Sequence, residues 1–257
     1  MPVPLPNSQE AVDLLNDLWM VGGHYFAEDD FQVRRLKRMA DALFKSDPAA
    51  AWATLAGAAG LTGDAEAVRA AGDKAIRLRY VPAITDAKAT PLSNLGYFSE
   101  AQALTKHWLS VDTIVWPHAA EKAIACASIV YLADTIRQAG SMPTGIPNSV
   151  LATIELAAGI LDEHGISDAM LAGWLDVAGE MMRNRRMFFL GFPQLFATRD
   201  DGFAQVDISF ELDLDAEAVT LLTVELVDTC IQRQIAPPNC FSFGFRSRRL
   251  AHEHLAA

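Results

Sequence analysis

Cysteine is scarce in this chain of 257 residues. Its three copies, Cys126, Cys230 and Cys240, are too few and too scattered for a disulfide framework or for zinc-ligand spacing. A reducing cytoplasm is the natural setting for such a composition. Apolar runs of about 18 residues, long enough to cross a bilayer, are also missing. The opening MPVPLPNSQE has neither the basic stretch nor the apolar stretch of a secretory leader, so no membrane association is expected. Lysine disappears after Lys122: residues 1–140 hold 13 basic and 16 acidic side chains, residues 141–257 hold 8 and 16. The formal charge of −11 repels a nucleic-acid backbone or an anionic lipid surface, so no nucleic-acid partner is expected. G-x-S-x-G, a phosphate-binding glycine loop and H-E-x-x-H are all absent. No catalytic residue, cofactor or metal is therefore expected from motifs.

What is present is hydrophobic. Fifty-one per cent of the residues are apolar and the mean hydropathy is +0.15, which excludes a disordered chain. To about residue 184 the pattern is helical. SQEAVDLLNDLWMVGGHYF starts at Ser8 as a candidate N-cap and keeps Val12, Leu15, Trp19 and Tyr25 on one face. DFQVRRLKRMADALFKSDP places Phe31, Leu36, Met39 and Leu43 likewise and stops at Asp47-Pro48. PAAAWATLAGAAG and DAEAVRAAGDKAIRLRYVP repeat the arrangement around a glycine turn.

A fixed spacing runs through this half. Pro48, Pro82 and Pro117 lie 34 and 35 residues apart, and Leu61 and Leu95, Glu66-Ala67 and Glu100-Ala101 are separated by 34. Trp19, Gly23 and Phe26 follow W-x3-G-x2-F, and Trp52 and Leu55 follow W-x2-L. GDAEAVRAAGDKAIRL has the pattern of a second helix and ALFKSDP that of a repeat ending. Over about residues 15 to 117 the chain resembles the tetratricopeptide repeat family. It departs from the family pattern in having Ala56 in place of glycine, no tryptophan in the third pair's first helix, and Pro91 within it. The resemblance implies stacked antiparallel helix pairs, because one pair cannot bury both of its faces alone. It also implies a concave surface lined by the first helix of each pair. Carried over here, that stripe comprises Asp17, Met20, His24 and Ala27, then Ala50, Ala53, Gly57 and Gly60.

Residues 119–140 and the segments NSVLATIELAAGILDEHG and SDAMLAGWLDVAGEMMRNRR read as further helices, with Gly165 closing one and Ser167 opening the next. The period then changes to two. VDISFELDL alternates Val206, Ile208, Phe210, Leu212 and Leu214 with polar residues, and CFSFGFRSR alternates Phe241, Phe243 and Phe245. Asp201-Gly202 marks a hairpin turn after MFFLGFPQLFA. DAEAVTLLTVELVDTCIQRQ is a helix capped by Asp215 and stopped before Pro237-Pro238. The expected fold is mainly α: a helix-pair stack in residues 1–184, followed in 185–257 by a two-layer α+β unit of order strand, strand, helix, strand.

Three further clusters invite chemistry. His252 and His254 are two apart around Glu253, a spacing that suits an extended chain but not one helix face, and an exposed tail is the simpler reading. FSFGF with Arg246, Arg248 and Arg249 has part of the look of a base-stacking strand. The leading basic-glycine pair is absent, so core phenylalanines with a solvated arginine rim are expected instead. Arg183, Arg185 and Arg186 either extend that rim or favour a helix end through its dipole. Asp176, Glu180 and His164 fall on neighbouring helices, where a His–carboxylate pair is geometrically allowed.

The function expected from these readings is a cytoplasmic protein-interaction module. It would take a peptide or helix into a shallow groove at Asp17, Met20, His24, Ala53 and Gly57, and offer a sheet edge to a partner or to a second copy of itself. The rival is an enzyme whose site lies at the junction of the helical and α+β units. A polar, charge-perturbed pocket at that junction would favour the rival, and an open apolar groove the module.

Overall fold

A computed structural model describes residues 6–21, 23–78, 84–111, 116–139, 144–235 and 237–248. The chain runs α1 (Pro6–Val21), α2 (Phe31–Leu43), α3 (Pro48–Thr62), α4 (Ala65–Arg77), a π-helix (Ile84–Ala89), α5 (Thr90–Asn94) and α6 (Phe98–Val111). It continues through α7 (Trp116–Ala125), α8 (Ile129–Gln138), α9 (Asn148–Glu163), α10 (Asp168–Asn184), β1 (Leu190–Asp200), β2 (Phe203–Leu212), α11 (Ala216–Gln232) and β3 (Phe241–Ser247). The architecture is mainly α with a C-terminal α+β unit in the expected strand, strand, helix, strand order. No helix among the described residues is long and apolar enough to cross a membrane. His252, His254, Arg249 and Pro82 lie outside the described residues.

Short polar side chains start five of these helices. Asp30, Asp47, Asp64, Ser167 and Asp215 each accept a hydrogen bond from a backbone N–H of the first turn, satisfying donors that the helix itself cannot. Asp47-Pro48 therefore both follows α2 and opens α3, with the proline at the first helical position, where its missing N–H costs nothing. Ser8 is not a cap. It lies inside the first turn of α1 and is buried, because the helix begins two residues earlier at Pro6.

The first helix also ends sooner than its apolar pattern suggests. Gly23 has φ +75° and turns the chain out of α1. Tyr25 then leaves the helical face: its N–H donates to the Arg186 carbonyl, His24 bridges Met187, and the Phe188 N–H donates to the Gly23 carbonyl. Phe31, expected to face inward, is exposed on α2, while Leu36 and Leu43 of that helix are buried. The segment 119–140 is two helices rather than one. Ala127 at φ +56° separates α7 from α8, and Gln102 Nε2 donates to the Cys126 and Ala127 carbonyls at 3.2 and 3.0 Å, holding that strained turn.

Where a third helix pair should begin, the chain forms the π-helix and the five-residue α5, with Pro91 buried in α5. Both pack on α6, and the π-helix also packs on α3 and α4. In the sheet, β2 pairs antiparallel with β1 through the Asp201-Gly202 turn and parallel with β3 across α11. Gly202 takes φ +81° in that turn.

Two large apolar cores organise most of the described residues, beside small clusters at Leu43 and at Ala75. The smaller gathers Leu18, Trp19, Leu36, Leu61, Val68, Leu92, Leu95 and Phe188. The larger begins at Phe98 of α6 and runs through α7–α10 into the sheet and α11, so residue 184, where the sequence period changes, falls within it. Trp174 of α10 stacks on Phe241 of β3 at 5.2 Å, and Phe98 meets Phe189 and Phe210 at 5.3 and 5.2 Å.

A buried polar knot joins three helices inside this core. The Asp168 carboxylate accepts from the Val130 and Tyr131 N–H groups at 2.9 and 3.0 Å and pairs with Lys106 at 3.1 Å. Its backbone carbonyl accepts from Gln102 at 2.8 Å. One side chain of α10 thus caps α8 and neutralises a cation on α6. Removing it leaves Lys106 without its buried counter-charge and α8 without its cap. Asp168→Ala is expected to lower unfolding free energy by about 3–5 kcal/mol, the cost usual for breaking a buried pair, and Asp168→Asn by less; urea midpoints check both.

Candidate functional site

A cleft of about 480 Å³ opens between α1, α3, α5 and α7. Its walls are mainly apolar, with Ser8 and Asn16 on α1 and Thr54 on α3 as their polar members. Val12, Leu15, Trp19 and Met20 line it from α1, Ala50 and Ala53 from α3, and Pro91 from α5. Thr90, Asn94, His118, Glu121 and Lys122 are gathered at the α5 and α7 side. The arrangement follows from helical spacing: residues 12, 15, 16 and 19 share one side of α1, and 50, 53 and 54 one side of α3.

Two glycines fix the width of the cleft. A Cβ on Gly57 would overlap the Leu15 methyls, and a Cβ on Gly60 would lie 2.9 Å from Trp19 Cζ2 and 3.2 Å from Pro91 Cβ. Because neither Cβ exists, α1 lies directly against α3, and Leu15 and Trp19 rest on its backbone rather than on side chains. Trp19 then meets Phe188 edge-to-face at 4.6 Å, which anchors this wall to the chain entering the sheet.

The polar side is built across a long stretch of sequence. Lys122 is 9% exposed and its Nζ donates to Thr90 Oγ1 at 2.7 Å. His118, one turn earlier on α7, meets Trp108 at 6.0 Å, edge-on. A cleft with mainly apolar walls and a few convergent polar groups has the make-up of a ligand site.

The residues proposed from sequence divide accordingly. Met20 and Ala53 face each other across this cleft, with Ala50 beside them. Gly57 is buried under Leu15 and serves as the contact between helices rather than as open surface. Asp17 is exposed but does not line the cleft, and His24 and Ala27 lie beyond the end of α1, exposed. Gly23 breaks the helical run, so Asp17, Met20 and His24 do not form one continuous stripe. Lys122 and Thr90 were not singled out by pattern. The available signal was a lone cation in the alanine-rich AAEKAIACA, four residues after His118 and therefore on the same face.

A second pocket, of about 440 Å³, lies where α6 and α10 meet the end of α11, at the junction of the helical and α+β parts. Asp176, Glu180, Arg183 and Arg233 line it, together with Tyr97. The charges are committed to one another. Arg233 donates to both Glu180 oxygens at 2.8 Å, and this pairing holds the Glu180 carboxyl below its ordinary value and the Arg233 guanidinium above its own. Asp176 accepts from the Ser99 N–H at 3.2 Å. Arg183 donates to the Leu95 and Gly96 carbonyls and stacks at 4.0 Å over Tyr97, whose ring Arg69 also approaches at 4.8 Å. Arg183 therefore caps a neighbouring turn rather than its own helix.

His164 is not in this pocket. Its Nδ1 lies 2.8 Å from the Ile160 carbonyl, and Glu180 is about 18 Å farther along α10, at 1.5 Å per residue from the N-terminal end beside His164. The other sequence clusters are equally occupied. Phe241 and Phe245 are buried, so β3 turns these rings into the core. Arg246 donates to Gln194 at 3.1 Å and lies 4.8 Å over Phe196, and Arg248 donates to the Met20 carbonyl. All three cysteines are buried and unpaired, and burial pushes the Cys126 and Cys230 thiols up, away from the thiolate a nucleophile needs. Among the described residues no three His, Cys, Asp or Glu side chains gather as metal ligands.

The Glu180–Arg233 pair has nearly half of each side chain in water, 44% and 45%, so Glu180→Gln is expected to cause only a small loss of stability. The lowered Glu180 pKa sets the sign. The contribution is complete above the ordinary value of 4.5 and is lost as pH falls through the folded value. Urea midpoints of wild type and variant should differ at neutral pH and converge in strong acid.

Compared with protein-family models, with curated proteins and with solved structures, the chain matches none.

Proposed function

We propose that this chain is a protein-interaction module that takes a short apolar segment of a partner, as a peptide or one face of a helix, into the cleft between α1, α3, α5 and α7. The observation that carries this reading is the make-up of the cleft: mainly apolar walls on α1 and α3, with Ser8, Asn16 and Thr54 among them, and Thr90, Asn94, His118, Glu121 and Lys122 gathered at one side. Apolar side chains of the segment fill the space over Ala53, where the host contributes only a methyl group. The polar groups receive the segment's backbone or a polar side chain, which fixes its direction and register. Adaptor, chaperone-like and regulatory roles all use such a surface.

The same reading treats α1–α6 as a tetratricopeptide-like stack whose inner surface is this cleft. It places the chain in the cytoplasm, where its three buried thiols stay reduced. It favours a protein partner over nucleic acid or membrane because the chain carries −11. The rival site at the junction is weaker, because Glu180 and Arg233 already satisfy each other, Arg183 is spent on the Leu95 and Gly96 carbonyls, and the Glu180 pKa moves away from neutrality rather than towards it.

Ala53→Trp is the direct test. The larger ring fills the cleft without replacing a buried group, since Ala53 is only partly covered. Binding of uncharged apolar peptides selected on the wild-type chain, followed by calorimetry, is expected to weaken at least about tenfold, a loss of at least ~1.4 kcal/mol, with the melting temperature held. Unchanged affinity would remove the cleft from the binding surface.

A further inference from the structure

The helix α11 is apolar on two opposite sides. Val219, Leu222, Leu226 and Cys230 are buried in the larger core. On the far side Leu221, Val224, Val227 and Ile231 are 64%, 53%, 50% and 59% exposed. A helix with two apolar sides is ordinarily covered on both, and none of the described residues covers the second side of α11. Val224, Val227 and Ile231 are spaced by 3 and 4, and the same rhythm extends back through Thr220 to Glu217. That is the seam of a helix packed lengthwise on another helix, and the seam is made of β-branched residues with few rotamers to lose.

Charge selects the occupant. Glu217 and Asp228 are exposed along the Leu221 flank of the seam, while Glu225 beside them is already paired with Arg185. The cations paired at this helix are already used: Arg185 with Glu225, and Arg233, past its end, with Glu180. A second copy laid on this face by a two-fold axis would set acidic side chains against their own equivalents. We propose that the outer face of α11 is a docking surface for a basic amphipathic helix of another protein, with apolar residues at alternating spacings of 3 and 4 and Lys or Arg beside them. The site is separate from the α1–α3–α5–α7 cleft, so one chain can hold two partners at once.

The test is selection from a display library of amphipathic helices a few heptads long, with apolar seam positions fixed and flanking positions randomised, on the full chain. Lys and Arg are expected to be enriched at the flanks. A selected helix made as a free peptide should lose about tenfold or more in affinity for Val227→Asp and bind more weakly as salt rises. Exchanging the charges with Glu217→Lys and Asp228→Lys should turn the preference to acidic flanks, and these exposed positions leave the core untouched. Flanks that emerge unbiased or acidic on the wild-type chain, or binding that survives Val227→Asp, would overturn the proposal. So would sedimentation showing a wild-type dimer that Val227→Asp dissociates, since the occupant would then be a second copy.

Discussion

The Trp19 ring lies against the backbone of α3 at Gly60, and the rest of the first core is arranged around that contact. Pro91 of α5 lies over the same glycine, and the ring meets the chain leading into the sheet at Phe188, so three parts of the molecule converge at this contact. A tryptophan can take this position only where the facing helix has no side chain, and Gly57 and Gly60 remove two such side chains on one side of α3. The outcome is a thin wall between α1 and α3. Above it stands a cleft whose depth comes from what α3 lacks.

The second core holds the sheet to the same scaffold. Phe188 and Phe189 are adjacent yet belong to different cores, the first facing Trp19 and the second Phe98 and Phe210. The Phe188 N–H donates to Gly23 and the Phe189 N–H to the Asn94 carbonyl, so this dipeptide is pinned to the end of α1 and the end of α5. The Asp168 knot holds α6, α8 and α10 behind it. These constraints make the cleft a preformed feature of a rigid frame, which lowers the ordering cost of capturing a flexible segment. The exposed side of α11 lies on the opposite part of the chain's organisation, in the α+β unit. The proposed adaptor role rests on a mainly apolar cleft in one part of this frame and an acid-flanked seam in another.

Much of this was readable from residue order, and the failures share a cause. Asp215, Ser167 and the Asp201-Gly202 turn were legible because a cap or a turn is decided within a few residues. The alternation in β2 and β3 was legible because one sheet face is buried. Met20 and Ala53 were assigned to one surface by the resemblance to the repeat family, whose concave face is lined by the first helix of each pair. The end of α1 was misread because its apolar rhythm continues to Tyr25, whereas the pairing of residues 23–25 with 186–188 takes that stretch away from the helix. An alanine at φ +56° gives no local signal at all, since its support comes from Gln102, 25 residues earlier. Lys122 and Thr90, 32 apart, were likewise invisible as a pair until α5 and α7 were packed together. Gly57 and Gly60 had two readings, open groove or close packing, and the positions of Leu15 and Trp19 chose packing.

Hydrogen exchange of the full chain, with and without an uncharged apolar peptide selected for binding to it, reports most directly on whether the cleft is the capture surface. Slower exchange is expected in α1, in the first half of α3 and around Lys122 in α7, with the junction pocket beside Arg233 unchanged. Slower exchange at α10 and the end of α11, with α1 and α3 unaffected, would contradict it.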